Sequence, residues 1–275
     1  MQTIVNEMFN IEKQVVFVTG GNGQIGLSLI LSLIKAKAKV IAVDLELNNL
    51  KELINLNNWT HNQIQILKCD IRKEDEVKSV FNKASDKFGE ITSLVANAGV
   101  AVFENYLDRK ESSIDMVMDV NIKGSFFCIR EYIKHRKTYK TSGKIVIVGS
   151  HYGLVSPDPR IYSDTNRASS EIYGASKAGL IQMAKYFAVH AADYNIRTNA
   201  VSPGGIYDND NPLSEEPLQE VTQGEGFRKH YNYRCPMKRM ATTDEVIGPI
   251  LFLLSPASSY INGHNIVIDG GFTAW

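Results

Sequence analysis

Short apolar runs rich in Val and Ile recur at 15–19, 39–43, 63–67, 93–96, 144–148, 197–201 and 265–268, bounded by polar or glycine-containing turns. They predict seven strands, and because the runs are continuously apolar rather than alternating, strands buried on both faces. Between them, stretches at 24–36, 74–88, 114–134, 171–194 and 243–254 place apolar residues three and four apart, the period of amphipathic helices. This alternation predicts βαβ units, an α/β fold with a doubly wound parallel seven-stranded sheet and helices on both faces. Two polar stretches break the rhythm: 151–170, rich in Pro, Asp, Ser and Arg, and 206–230, rich in Asp, Asn, Glu, Pro and Gly. Each follows a strand at the carboxyl edge of the sheet, where open α/β folds bind ligands, so both are predicted to be substrate loops. No linker or repeat divides the chain, which reads as a single domain over 1–275.

Composition narrows the classes of partner. With 275 residues, 44% of them apolar, the chain can bury a full core. Thirty Lys and Arg cancel thirty Asp and Glu, leaving no field to hold nucleic acid or an anionic membrane. The most apolar stretch, 25–34, is interrupted by Ser28 and Ser32 and falls short of the roughly 20 residues a span needs. The first residues show no secretion signal, which suggests a cytoplasmic protein. Cys69, Cys128 and Cys235 have no CxxC spacing, so neither a disulfide framework nor a metal site is expected.

The first strand runs into Thr19-Gly20-Gly21-Asn22-Gly23-Gln24-Ile25-Gly26, with glycines at 20, 23 and 26 where a helix begins. Glycines there allow a tight turn and close approach of backbone to a pyrophosphate, held by free N–H groups and the helix dipole; this marks a Rossmann-type turn. The alternative is a βα turn with no ligand. The second strand ends in Val40-Ile-Ala-Val-Asp44, an acid 18 residues after Gly26, close to the spacing of a carboxylate that binds the adenosine ribose hydroxyls. Asp44 would repel a 2′-phosphate, and no Arg follows it, so NAD is expected over NADP. Asp44 as an exposed loop acid is the alternative.

Tyr173-Gly-Ala-Ser-Lys177 opens a predicted helix, and its spacing of four puts phenol and ammonium on one face. A nearby ammonium favours the phenolate and suits the pair to proton transfer. Together with Thr19 to Gly26, Asn97-Ala98-Gly99, Asn121, Ser150, Pro203-Gly204 and the late Asp269-Gly270-Gly271, occurring in order, the chain resembles the single-domain branch of the short-chain dehydrogenase/reductase family along nearly its whole length.

That resemblance implies roles. Tyr173 would be the general acid/base, Lys177 would hold the nicotinamide ribose and lower the Tyr173 pKa, and Ser150 would hydrogen-bond the reacting oxygen. Asn121 would hold a water that links Lys177 to solvent. The glycine turn, with Asn22, Gln24 and Ile25, would cradle the pyrophosphate. Asp70 would receive the adenine amino group with Ile71 beside the ring. Asn97, Ala98 and Gly99 would pass under the ribose, and Pro203, Gly204 and Ile206 would border the nicotinamide. Each has a plainer alternative: Asn97 and Asn121 as caps of backbone groups, Asp70 as a helix cap, Pro203-Gly204 as an ordinary turn.

Three positions depart from the family's pattern. Gln24 stands where the single-domain branch has glycine, the Ser150 to Tyr173 interval of 23 residues is long, and Asp208 or a neighbour replaces a threonine. The first two are nearer the extended branch of nucleotide-sugar epimerases and dehydratases. The resemblance implies an NAD-dependent dehydrogenase interconverting a secondary alcohol and a ketone of a sugar or other polyhydroxylated, possibly anionic, small molecule, working as a homotetramer or homodimer. A nucleotide-sugar epimerase or dehydratase with tightly bound NAD, and a non-catalytic NAD-binding regulator, are the alternatives. The segments from Ser150 to Tyr162 and from Asp269 to Trp275 resemble bacterial surface-sugar biosynthesis oxidoreductases, including those of nonulosonic acids. His151, beside Ser150, is a candidate for substrate contact or for a backbone bond. Arg160 and Arg167, in the long interval, are candidates to grip an anionic group with a forked, charge-assisted contact.

Overall fold

The computed structural model describes residues 2–139, 141–162, 170–207 and 224–275, with side chains from Ile4 onward. Seven strands, β1 (Val15–Thr19), β2 (Lys39–Asp44), β3 (Ile64–Lys68), β4 (Ser93–Ala96), β5 (Gly143–Val148), β6 (Ile196–Pro203) and β7 (Asn265–Ile268), form one parallel sheet in the order β3-β2-β1-β4-β5-β6-β7. All seven stand where the apolar runs place them, within a few residues at the ends.

Nine α-helices are present among the described residues: α1 (Gln2–Met8), α2 (Gln24–Lys35), α3 (Asn48–Asn57), α4 (Glu74–Phe88), α5 (Glu111–Met118), α6 (Ser125–Arg136), α7 (Glu171–His190), α8 (Glu225–Arg234) and α9 (Thr243–Leu254). The side-chain alternation of β1 explains the two layers. Val15 and Phe17 face α4, α6 and α7 in one core, where Phe17 stacks on Phe81 with ring centroids 4.2 Å apart. Val16 and Val18 face α2, α3 and α9 in the other.

The sequence expectations need correction at several helices. The stretch 114–134 is two helices joined by a π-helical segment, Asp119–Gly124. An added Cβ on Gly124 would stand 2.7 Å from the Ile71 side chain, so the missing side chain lets the helix lie close to β3's exit. The stretch 171–194 is helical only to His190 and ends in a 3-10 turn, Ala192–Tyr194. Helices α1, α3 and α8 are additions, and α8 begins inside the stretch expected to be loop. Residues 163–169 and 208–223 of the two predicted loops, with Arg167 and Asp208, lie outside the described residues.

Strand order reverses between β1 and β4, where the connections depart to opposite faces. The carboxyl ends of these strands splay into a crevice, the place where doubly wound sheets bind ligands. A third, smaller cluster of buried side chains, Ile161, Tyr231, Cys235, Met240 and Phe272, sits apart from the two layered cores.

Candidate active site

The crevice is a cleft of about 440 Å³ with the glycine turn on one wall. Gly20 adopts φ +66°, and a Cβ on Gly26 would fall 2.2 Å from the Gly20 carbonyl oxygen, so the turn closes on itself only with glycine at 26. Gly20, Gly23, Gln24 and Ile25 line the cleft; Gly26 lies behind them, and Asn22 turns away, its Oδ1 accepting the Leu50 N–H near the start of α3. Asp44 lines the cleft at the end of β2. Its carboxylate accepts the N–H groups of Asn22 (2.9 Å) and Leu45 (2.7 Å), which aims it across the turn.

Asp70 and Ile71 line the next part of the cleft. Arg72 grips Asp70 in a fork, Nε to Oδ1 at 2.8 Å and Nη2 to Oδ2 at 2.7 Å, and holds its carboxyl below the ordinary range. Arg72 also lines the cleft, a cation the sequence reading did not single out, with its charge already answered by Asp70. Asn97 takes its capping alternative: its Nδ2 donates to the carbonyls of Thr19 (3.1 Å) and Gly20 (2.9 Å), while Thr19 Oγ1 accepts the N–H groups of Asn97 and Ala98. These four bonds pin the ends of β1 and β4 together and leave Asn97, Ala98 and Gly99 along the cleft floor. Thr19, which opens the glycine motif without a role of its own there, is therefore a supporting residue.

The cleft fits a dinucleotide. It offers a side-chain-free turn for a pyrophosphate at the start of α2, and a carboxylate at the second strand for ribose hydroxyls. Gln24, the departure from the family pattern, donates through Nε2 to the Tyr207 carbonyl and ties the glycine turn to the chain after β6. Ile206 lines the cleft from that side, while Pro203 stays outside it.

A second pocket of about 230 Å³ adjoins the cleft, with Ile206 in both linings. Ser150 and Tyr173 meet there, close enough for the Ser150 hydroxyl to hydrogen-bond the phenol. Ser150 leaves β5 in extended backbone, and Ser170 caps α7 by accepting the Tyr173 N–H at 3.2 Å, which fixes where the phenol starts. One turn later Lys177 is buried, its Nζ donating to the Val148 carbonyl at 2.9 Å and standing 5.5 Å from the Tyr173 ring centroid. Burial pushes the Lys177 amine down to about 8. Tyr173 differs from expectation: burial dominates and raises its phenol above the ordinary value, with the Ser150 hydrogen bond pulling the other way. Lys177 stands over the ring rather than at the oxygen, so it does not lower the phenol.

Asn121 is fully buried, and its Nδ2 donates to the Val100 carbonyl (3.0 Å) and Ser176 Oγ (2.9 Å) while Oδ1 accepts the Val100 N–H. Both its donors are spent on protein, so the side chain fastens the π-helical segment to α7 and to the loop after β4. A relay water has no side-chain N–H of Asn121 to use. Gly99 passes beside this pair: an added Cβ would stand 3.2 Å from Lys177 Nζ.

The pocket's remaining walls are largely aromatic: Phe103, Tyr152, Tyr162, Phe227 and Tyr231, with Gly204 and Gly205. Tyr231 accepts the Gly205 N–H at 2.6 Å, and the hydroxyls of Tyr152 and Tyr162 are 2.9 Å apart. These aromatic residues were invisible to motif reading because they gather from 103 to 231 in the chain without any spacing rule. His151 lines the pocket, 3% exposed. Arg160 does not reach it: its guanidinium pairs with Asp158 at 2.7 Å, is 84% exposed, and borders a separate surface hollow with Arg234 and Trp275. The two-residue spacing to Asp158 satisfies Arg160 locally, which corrects its expected place at the substrate.

Residues 22–273 match the family described as Enoyl-(Acyl carrier protein) reductase. The chain is 30% identical to the ribulose-forming D-arabinitol 2-dehydrogenase of Candida tropicalis, over 97% of this chain and 95% of that one. It is 33% identical to the 3-oxoacyl-(acyl-carrier-protein) reductase of Thermotoga maritima, over 95% and 98%. The crystal structure of a short chain dehydrogenase from Leptospira borgpetersenii with bound NAD+ superposes with a TM-score of 0.82 at 32% identity, covering 96% of this chain and 94% of the other.

Proposed function

Because this chain belongs to the short-chain dehydrogenase/reductase family, oxidoreductases that act on CH–OH groups, we propose that it is an NAD-dependent dehydrogenase interconverting a secondary alcohol and a ketone of a sugar or polyol. The observation that carries this reading is the meeting of Ser150, Tyr173 and buried Lys177 beside a dinucleotide-sized cleft. The polyol dehydrogenase among the relatives supports the substrate class. Asp44, reaching into the cleft, supports NAD: an acid there repels a 2′-phosphate and accepts ribose hydroxyls.

When bound, a nicotinamide supplies the hydride acceptor or donor. Gly20, Gly23, Gln24 and Ile25 would hold its pyrophosphate, Asp44 its adenosine ribose, Asp70 and Ile71 its adenine, and Gly204 and Ile206 the nicotinamide side. In the oxidative direction the Tyr173 phenolate takes the proton of the substrate hydroxyl while the carbinol hydrogen leaves its carbon as hydride. Ser150 holds the reacting oxygen at the phenol. Lys177, kept in place by the Val148 carbonyl, would hold the ribose next to the nicotinamide. Asn121 fixes the wall on which Lys177 rests.

The experiment is initial-rate measurement of reduced nicotinamide over pentitols, hexitols, aldoses and aldonates with NAD and with NADP. Turnover of a polyol or sugar with NAD, lost in Tyr173→Phe, is expected. No turnover of any alcohol with either cofactor overturns the reading.

A further inference from the structure

Beside Ser150, His151 presents a problem of hydrogen-bond accounting. Its Nδ1 lies 3.0 Å from the Pro203 carbonyl oxygen, which only accepts, so Nδ1 carries the hydrogen and Nε2 is a bare lone pair. That Nε2 is buried and meets no hydrogen-bond partner among the described residues. Buried polar atoms are almost always paired, so an orphan beside a reacting pocket asks for a partner that arrives with the substrate. The ring is held in place by Tyr152 at 4.1 Å and Phe272 at 4.9 Å between centroids. Burial pushes the imidazole down to about 4, so it stays neutral near pH 7.

Among the described residues that line this pocket none is Lys, Arg, Asp or Glu; six carry six-membered aromatic rings, four of them tyrosines. Such walls offer apolar faces and hydroxyl handles but no charge to answer a carboxylate or phosphate.

Resting on the dehydrogenase reading above, we propose that His151 is a specificity-determining residue: its Nε2 accepts a second hydroxyl of an uncharged polyol or sugar whose first hydroxyl is oxidised between Ser150 and Tyr173. A lone pair accepts from O–H and repels the oxygen of a carboxylate or phosphate, so the same atom that selects a hydroxyl rejects an anionic substituent at that place. Ser150 and His151 line the same pocket of about 230 Å³, so the two hydroxyls belong to one small substrate. A second hydroxyl missing from the substrate leaves the acceptor unpaired, which is how a polar pocket discriminates strongly.

The test compares cyclohexane-1,2-diol and pentitols with cyclohexanol and D-gluconate, in wild type, His151→Asn and His151→Gln. Asn keeps an N–H for the Pro203 carbonyl and removes the distal lone pair; Gln restores an acceptor farther out. The expected result is a wild type that prefers diols and pentitols. In His151→Asn, kcat/KM falls at least tenfold more for the diol than for cyclohexanol, with unchanged NADH affinity, and His151→Gln recovers part of that selectivity. Equal losses on both substrates would mean a structural role and overturn the proposal, as would wild-type preference for cyclohexanol or gluconate, a comparison that needs no variant to fold. Absence of turnover on every alcohol sinks the dehydrogenase reading itself, and the proposal with it.

Discussion

Lys177 sits where an ammonium is expensive, 4% exposed with one carbonyl partner, and its titration near 8 records that cost. The sign follows from linkage. The unfolded chain holds this proton up to the ordinary 10.5 and the folded chain releases it near 8, so between those values the unfolded state binds more protons and stability rises with pH. Below that window the penalty is fully present, on the order of 3 kcal/mol. Lys177→Met is therefore expected to melt higher than wild type at neutral pH, with the gap closing toward pH 10, while losing turnover. Melting curves at both pH values check it. For Tyr173, whose phenol burial raises, alcohol oxidation should climb with pH through the alkaline range and ketone reduction should not. Rates in both directions from about pH 6 to about pH 10 decide; a flat oxidation profile would remove the phenol from the step. Asp44→Ala should narrow the preference for NAD over NADP by roughly one to two orders of magnitude, the scale of a lost charge-assisted bond, read from the two kcat/KM values. Ser150, Tyr173, Lys177 and Asp44 were legible because their chemistry demands particular residue types at strand ends and helix spacings. Thr19, Arg72 and Tyr231 were not, since each acts through contacts with chain that is distant in sequence or carries no motif.

Helix periodicity reads through 114–134 without a break because Val117 before the π-helical segment and Cys128, Ile129 and Tyr132 after it are all buried. The segment carries the buried Asn121, and π-helical segments of this kind gather at functional sites. Removing the Asn121 side chain leaves Val100 and Ser176 with broken bonds in a buried place. Asn121→Ala should cost about 1–3 kcal/mol, the range for buried groups left unpaired, and lower kcat together with stability, measured by urea midpoint and initial rates. Helix α3 escaped notice for the opposite reason. Its ten residues include four asparagines, poor helix formers, and only Leu50 and Leu53 are buried. The fold builds it through Asn22, which accepts the Leu50 N–H, and Asn58, which ends it in left-handed backbone at φ 53°. Tertiary contacts override local propensity in such a segment, which no window of sequence can reveal.

The sheet was the most legible part of the fold, since both faces of β1 and β2 are covered and their runs are apolar without alternation. Assembly between copies is the part that pattern leaves open, yet α6 and α7 expose Phe126, Tyr186 and Val189, the last to 71%. Apolar side chains exposed on neighbouring helices mark contact surfaces. Light scattering is expected to give a multiple of 30.7 kDa, and Val189→Glu to shift it toward that value; a wild-type mass of 30.7 kDa would remove the assembly.

The late pairing of β7 with β6 has a consequence in time. Gly204 donates to the Ile268 carbonyl at 2.8 Å, Phe272 packs against His151, and Pro203 ends β6 beside Ile268. Strands that pair in parallel need crossovers and cannot zip up as hairpins. On the ribosome, every described residue that lines the cleft, Ile206 excepted, has been made by residue 120. The wall that holds His151 waits for Phe272, made long after the residues of the cleft. A nascent chain thus carries the parts of the cleft long before Phe272 can brace His151 in the second pocket.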